Sequence, residues 1–230
     1  MCLKGIYLQQ NLNPMTMGSI KLLLFDLDGT IVNSMYDIGD AMNHTYRHFG
    51  KKEIPYTDIP AMVGGGIRQL LEDAFGADAD IDAMHKIFYD FYSSHYVDKT
   101  RPYPQVEETL RQLNSLQKGV YSNKPHRFTL GIIDTLALKK YFDFVQGARP
   151  ELYASKPSPE GILYAIKELG ATPKETLFIG DSTHDILAGK AAGTKTCAVT
   201  YGYRSREVLM EKKPDFIIDN FEEIIDLIEK

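Results

Sequence analysis

Asp26 and Asp28, one residue apart in Phe-Asp-Leu-Asp-Gly-Thr, are the first of four polar clusters whose residue types could carry one reaction. A carboxylate can attack phosphorus and form an acyl phosphate, while a second one beside it protonates the leaving alkoxide and later deprotonates the attacking water. The second cluster is Ser122 with Asn123. Hydroxyl, amide and exposed main-chain N–H groups make a neutral cradle for phosphate oxygens. Lys156, in Ser-Lys-Pro ahead of an expected helix, is the third. A cation there would strengthen an anion site and steady the charge of a nucleophilic carboxylate. The fourth is Gly-Asp-Ser-Thr-His-Asp, whose Asp181 and Asp185 offer oxygen ligands to a hard divalent cation. Taken singly, each has an ordinary explanation as a capped turn, a helix cap or a solvated loop. Their placement in the chain sets them apart.

Residues 21–25 are short, aliphatic and almost free of polar groups, the composition of a parallel strand buried on both faces. Asp26 and Asp28 stand at its carboxyl end, where ligands gather in open α/β sheets. From residue 105 helix and strand alternate: helices over 106–116, 127–136, 158–169 (capped by Ser158), 185–192 and 221–228, strands over 119–121, 143–145, 176–179, 195–199 and 216–218. Such alternation predicts an α/β fold, a Rossmann-like parallel sheet with helices on both faces. All four clusters then fall at strand ends or helix starts. Between the first and second the pattern is helical. Ser34 can cap a helix running to about Phe49, with Gly50 as its stop, and 67–75 and 81–97 have amphipathic spacing. No strand signal appears from Ile31 to Thr100, and Arg101-Pro-Tyr-Pro suits a hinge. The expected organisation is a loose extension over 1–19, a core made of 20–32 and 102–230, and an inserted all-helical cap over 33–101.

The chain has 230 residues, a formal charge of −5, 43% hydrophobic and 25% charged residues, ordinary values for a globular protein. Mild acidity gives no sign of a nucleic-acid or anionic-membrane surface, so an anionic substrate must be drawn by local cations and a metal. Cys2 and Cys197 lie far apart, which argues against a disulfide framework or structural zinc and for a reducing cytoplasm. No apolar run approaches a membrane span and the N-terminus lacks the blocks of a signal peptide. Met17 is a possible second start site.

Asp-Leu-Asp-Gly-Thr at 26–30, Ser-Asn at 122–123, Lys-Pro at 156–157 and Gly-Asp-Ser-Thr-His-Asp at 180–185 resemble the four motifs of the haloacid dehalogenase-like hydrolases. The resemblance covers the chain from about residue 20 onward. It implies Asp26 as nucleophile, Asp28 as acid and base, Ser122 as phosphate ligand and Lys156 as charge stabiliser. It also implies Mg2+ held by Asp26, the main-chain carbonyl of Asp28, and Asp181, with Asp185 supporting from behind. A carboxylate at Asp28 is a mark of the family's phosphatases, since members that displace halide from carbon lack it. The helical insert resembles the family's mobile cap, which closes to exclude water and favours small substrates.

Val63-Gly-Gly-Gly-Ile-Arg68 precedes a cap helix, and Gly64, Gly65, Gly66 and the Arg68 guanidinium could meet a second anionic group on the substrate. This loop resembles the Val-Gly-x-Gly loop of phosphoglycolate phosphatases. So does Arg101-Pro-Tyr-Pro-Gln-Val, with Gln105 where glycine is usual, and Tyr201-Gly-Tyr, with tyrosine where tryptophan is frequent. Tyr36 and Asp37 are further candidates for substrate contact. His44 and His48 lack a third ligand for zinc, His184 reads as a bystander, and Met84, Phe88, Phe91 and Tyr92 read as cap core. The expected activity is hydrolysis of a small phosphomonoester, with phosphoglycolate as the leading substrate. A phosphosugar mutase, a pyrophosphatase, a nucleotidase and a silent binding module are the alternatives. The expected partner is a small phosphorylated metabolite, without nucleic acid or membrane, for a monomer or weak homodimer.

Overall fold

Strand β1 (Leu22–Phe25) has no side chain in contact with water, so both of its faces and both of its edges must be covered. The computed structural model, which describes residues 20–76 and 78–228, shows how. β1 pairs in parallel with β4 (Gln117–Pro125) on one side and β6 (Thr176–Gly180) on the other. β5 (Phe144–Ala148) lies outside β4, and β7 (Lys195–Val199) and β8 (Phe216–Ile218) lie outside β6, giving a six-stranded parallel sheet in the order β5-β4-β1-β6-β7-β8. Alternate side chains of β1 point to opposite faces. Leu23 and Phe25 join a cluster with α5 (Val106–Gln112), α6 (His126–Thr135) and α10 (Glu223–Ile228), while Leu22 and Leu24 pack with α7 (Glu160–Glu168) and α8 (Thr183–Ala192). A shorter helix, α9 (Arg206–Glu211), brings Leu209 against Ile186, Ala198 and Ile217.

Register turns this sheet into a platform for chemistry. Phe25 stands opposite Val120 on β4 and Ile179 on β6. Asp26, Ser122 and Asp181, each one or two residues further along its strand, therefore emerge at one edge.

Between β2 (Val32–Asn33) and β3 (Arg101–Pro102) the described chain is helical: α1 (Met35–His48), α2 (Ile59–Met62), α3 (Ile67–Phe75) and α4 (Ile81–His95). These helices bury a cluster of their own, including Ile38, Met42, Leu71, Met84 and Phe88, which core helix α6 enters through Phe128. The Phe128 ring meets Tyr92 edge-on at a centroid distance of 5.0 Å. Among the described residues, no helix is long and apolar enough to cross a membrane.

Several boundaries differ from expectation. The stretch without a strand signal contains β2, and the prolines expected to form a hinge supply β3, its antiparallel partner. Two-residue strands have no periodicity to detect, and these partners lie about seventy residues apart in sequence. β4 runs to Pro125 instead of stopping at Tyr121, because Ser122, Asn123 and Lys124 are polar yet buried, so their composition imitates a turn. The fifth helix ends at Gln112, and the seventh starts at Glu160 with Pro159, not Ser158, at its cap position. The extension, with Cys2 and Met17, lies outside the described residues.

Asp37 fixes the join between insert and core. Its buried carboxylate accepts from the main-chain N–H groups of Lys99 and Thr100 and from the Thr100 hydroxyl at 2.6 Å. It does not line the cavity described below, and Tyr36 packs at a tilt against Tyr56 at the surface. Replacing Asp37 with Ala strands buried donors, so Asp37→Ala should lower unfolding free energy by about 2–4 kcal/mol in urea titrations. A loss below about 0.5 kcal/mol would contradict this role for the carboxylate.

Candidate active site

Lys156 brings the sheet edge together. Its Nζ lies 2.7 Å from Asp26 Oδ1 at the end of β1 and 2.6 Å from Asp185 Oδ1 in the first turn of α8. The other Asp185 oxygen accepts from the Ser182 main-chain N–H and hydroxyl, closing a capping box on α8. Asp185 therefore caps its helix and also orients the lysine. Asp181 accepts from the Tyr203 main-chain N–H at 2.7 Å and from the Thr30 hydroxyl at 3.3 Å. It occupies space that only glycines leave open: a Cβ at Gly29, where φ is +84°, would lie 2.2 Å from an Asp181 carboxylate oxygen, and one at Gly202 would lie 2.3 Å from its Cβ.

Asp28 is held from two sides. Ser34 Oγ donates to its Oδ1 at 2.5 Å, and Lys124 Nζ lies 3.1 Å from both its oxygens. Ser34 stands at the N-cap position of α1 but makes no cap bond, because its hydroxyl has taken a charged acceptor instead. The Tyr203 hydroxyl accepts from the Ser34 main-chain N–H at 3.0 Å.

Asp26, Asp28, Ser122, Asn123, Lys124, Asp181 and Tyr203 line one cavity of about 50 Å³. The insert supplies its opposite wall through Ile38, Val63, Gly64, Gly66, Ile67, Leu70, Phe88 and Tyr92. The expected site residues separate here. The Asn123 amide is fully engaged, donating to the carbonyls of Gly64 and Lys156 and accepting from the Lys156 N–H, which makes its side chain a brace and not a phosphate ligand. Gly64 and Gly66 reach the cavity, whereas Gly65 faces Gln69. Arg68 does not reach it. Its guanidinium is exposed and pairs with Glu72 on its own helix and Asp82 on the next.

Lys124 and Arg204 were not singled out from the sequence, and Tyr92 was read as core alone. Lys124 follows Ser122 and Asn123 in β4 where the register with β5 shifts between Tyr121 and Pro125, and all three line the cavity, a placement that regular strand alternation does not give. Tyr92 packs in the insert's core as expected, yet it also lines the cavity. Arg204 carries no motif signal. Its guanidinium donates to the carbonyls of Pro60, Ala61 and Val63, clasping the end of α2 from the core side.

Electrostatics explain what the arrangement invites. Burial, reinforced by Asp185 and Asp28 and opposed by Lys156, raises the Asp26 carboxyl to about 6. Burial together with Asp185 and Asp26 pushes Asp181 well up. Burial opposes the charge of Lys156, but Asp185 and Asp26 hold its ammonium above the ordinary range. One lysine cannot balance three buried acids. Asp26, Asp181 and Asp185 each present an oxygen within 4.8 Å of the others, the only such metal-sized group among the described residues. Excess negative charge on an all-oxygen donor set suits a hard divalent cation. His44 instead stacks on Phe91.

A model of the haloacid dehalogenase-like hydrolases matches residues 23–199, the span that holds all four polar clusters. The chain belongs to this family. Phosphoglycolate phosphatase 1 of Pseudomonas aeruginosa is 32% identical over 215 residues, 89% of this chain and 78% of its own length. Phosphoglycolate phosphatase of Aquifex aeolicus is 33% identical over 216 residues, 91% of this chain and 97% of its own. A crystal structure described as a predicted phosphoglycolate phosphatase from Haemophilus somnus superposes with a TM-score of 0.83 at 29% identity, covering 93% of this chain and 99% of that one. As a haloacid dehalogenase-like hydrolase, the protein has the α/β core of its family with the acidic edge described above.

Raised carboxyls mean that the native protein without metal binds protons more tightly than the unfolded chain. The stability they contribute is fully present below pH about 3.8 and is lost as pH rises through about 6 and beyond. In EDTA, the melting temperature of Asp181→Asn should therefore decline less steeply between pH 5 and 8 than that of the unmodified protein. Excess divalent cation should raise the melting temperature more at pH 8 than at pH 5, and equal gains at both would contradict the acidic-site argument.

Proposed function

We propose that this hydrolase removes phosphate from a small phosphomonoester through an aspartyl-phosphate on Asp26, with phosphoglycolate as its substrate. The observation that carries the reading is that Asp26 and Asp28 line the same small cavity beside Ser122, with Lys156 bonded to Asp26. Asp26 attacks phosphorus while the bond to the ester oxygen breaks, and Asp28 gives that oxygen its proton. Water then attacks the aspartyl-phosphate, Asp28 takes its proton, and inorganic phosphate leaves with Asp26 restored. Ser122 binds a phosphoryl oxygen, and Lys156 limits the charge that accumulates at Asp26.

Asp26, Asp181 and the main-chain carbonyl of Asp28 would hold Mg2+, with Asp185 behind them. The ion would supply positive charge opposite the phosphoryl oxygens. The cavity of about 50 Å³ supports a small substrate. At roughly 10–15 Å³ for each water on that measure, it has room for a phosphoryl group and a short tail, not for a nucleotide. The insert, clasped by Arg204 and braced by Asn123, acts as a cap that closes over this space. The names of the relatives support phosphoglycolate. The proposed setting is a reducing cytoplasm, consistent with the buried free thiol of Cys197.

Purified protein should release phosphate from an aryl phosphate only with magnesium, and Asp26→Asn should lower kcat on the order of 10⁴-fold or more with an unchanged far-UV spectrum. Retained activity in that variant would sink the mechanism. Across phosphoglycolate, nucleotides, sugar phosphates and pyrophosphate, kcat/KM should be highest for phosphoglycolate.

A further inference from the structure

We infer that Lys124 and the Tyr92 hydroxyl form the subsite for the substrate's carboxylate, so the residues that select a two-carbon phosphoacid lie on β4 and α4. The inference rests on the phosphatase reading above and gives it a specificity determinant.

A carboxylate entering this cavity needs a cation. Among the described residues that line it, Lys124 is the one that carries a cation. Its side chain is 5% exposed. Both of its observed bonds run to one carboxylate, Asp28, at 3.1 Å. An ammonium has three N–H groups, so a further acceptor can be taken without giving up Asp28. Asp28 also keeps the Ser34 hydroxyl.

Tyr92 supplies the second observation. It is 1% exposed, it lines the cavity, and its hydroxyl is buried without a hydrogen-bond partner. Unsatisfied buried hydroxyls are costly, and one carried by a residue of the cavity wall has the chemistry of a donor awaiting a ligand. Lys124 Nζ sits over the same ring, 4.9 Å from its centre, so the ammonium and the phenol ring belong to one patch of the cavity wall. The start of α3 reaches the cavity through Gly66 and Ile67, adding the positive end of a nine-residue helix.

The position of Lys124 also sets the length of the substrate's tail. Asp28 must lie near the leaving oxygen to protonate it, and Lys124 touches Asp28. In a 2-phosphoacid one carbon separates the ester oxygen from the carboxylate, so a single ammonium can touch both the substrate's carboxylate and Asp28. The remaining insert walls, Ile38, Val63, Leu70 and Phe88, are apolar and would leave a longer charged tail unpaired.

The test compares kcat/KM for phosphoglycolate and ethyl phosphate, which differ by a carboxylate in place of a methyl, using full-length protein with magnesium. Lys124→Met should cut the phosphoglycolate-to-ethyl-phosphate ratio by about 10- to 100-fold, and the near-isosteric Tyr92→Phe by about 3- to 10-fold. Far-UV spectra and melting curves establish that both variants are folded, and Tyr92→Phe carries the test if Lys124→Met is not. A ratio within 2-fold of the unmodified protein in a folded variant overturns that residue's assignment, because a residue acting only on Asp28 slows both substrates alike. If the unmodified protein hydrolyses both esters equally well, the subsite is overturned while the phosphatase reading stands. If it hydrolyses neither, both fail.

Discussion

Asp26, Asp28, Asp181 and Asp185 are buried at one edge of a parallel sheet, and among the described residues Lys124 and Lys156 are the only cations ion-paired with them. Charge taken out of water is costly unless it is paired and hydrogen-bonded, and this cluster is acidic in excess. Much of the surrounding structure offsets that cost. Ser182 and the start of α8 hold Asp185, Tyr203 and Thr30 hold Asp181, and Ser34 holds Asp28. The all-aliphatic β1 gives these groups a rigid platform because its register with β4 and β6 leaves no freedom to slide. What the protein side chains leave unbalanced is what a divalent cation and a phosphoryl group, bound together, would neutralise.

The same excess explains why the insert is built as it is. An insert lined with further carboxylates would add to the unpaired buried charge. Its cavity wall is apolar apart from the glycine loop and Tyr92. The insert is held against the core by contacts that cross from it: Arg204 on the carbonyls that end α2, Asn123 on Gly64, and the Phe128 ring among the insert's tyrosines. The first two use main-chain acceptors. The join at the base uses Asp37 in the same way, as an acceptor for main-chain donors of the returning strand.

The parallel core was legible because its signals are local. Dense aliphatic runs, helical spacing and strand-end acids each occupy a few adjacent residues, and residues 22–25 could hardly be anything but a central strand. Polar residues inside β4 were harder to read. Ser122, Asn123 and Lys124 look like the end of a strand, yet the chain continues because their partners, Asp28, Gly64 and Lys156, come from distant segments. Arg68 misled for the opposite reason: it sits beside a glycine loop that does reach the cavity, but local carboxylates hold its guanidinium. Side-chain type and neighbourhood suggested the chemistry, while direction and distance came only from the fold. Tyr92 shows the limit of helical periodicity, which places a ring in a core without telling where its hydroxyl ends.

Asn123 is the point where these layers meet. A single amide nitrogen donates to Gly64 in the insert and to Lys156 beside Asp26. The lysine's main chain and the insert's glycine loop are thus held by one side chain, so loss of the Asn123 amide would release both at once. In the phosphatase proposed above, that single loss would disturb the enclosure of the cavity and the seating of the lysine beside Asp26 together.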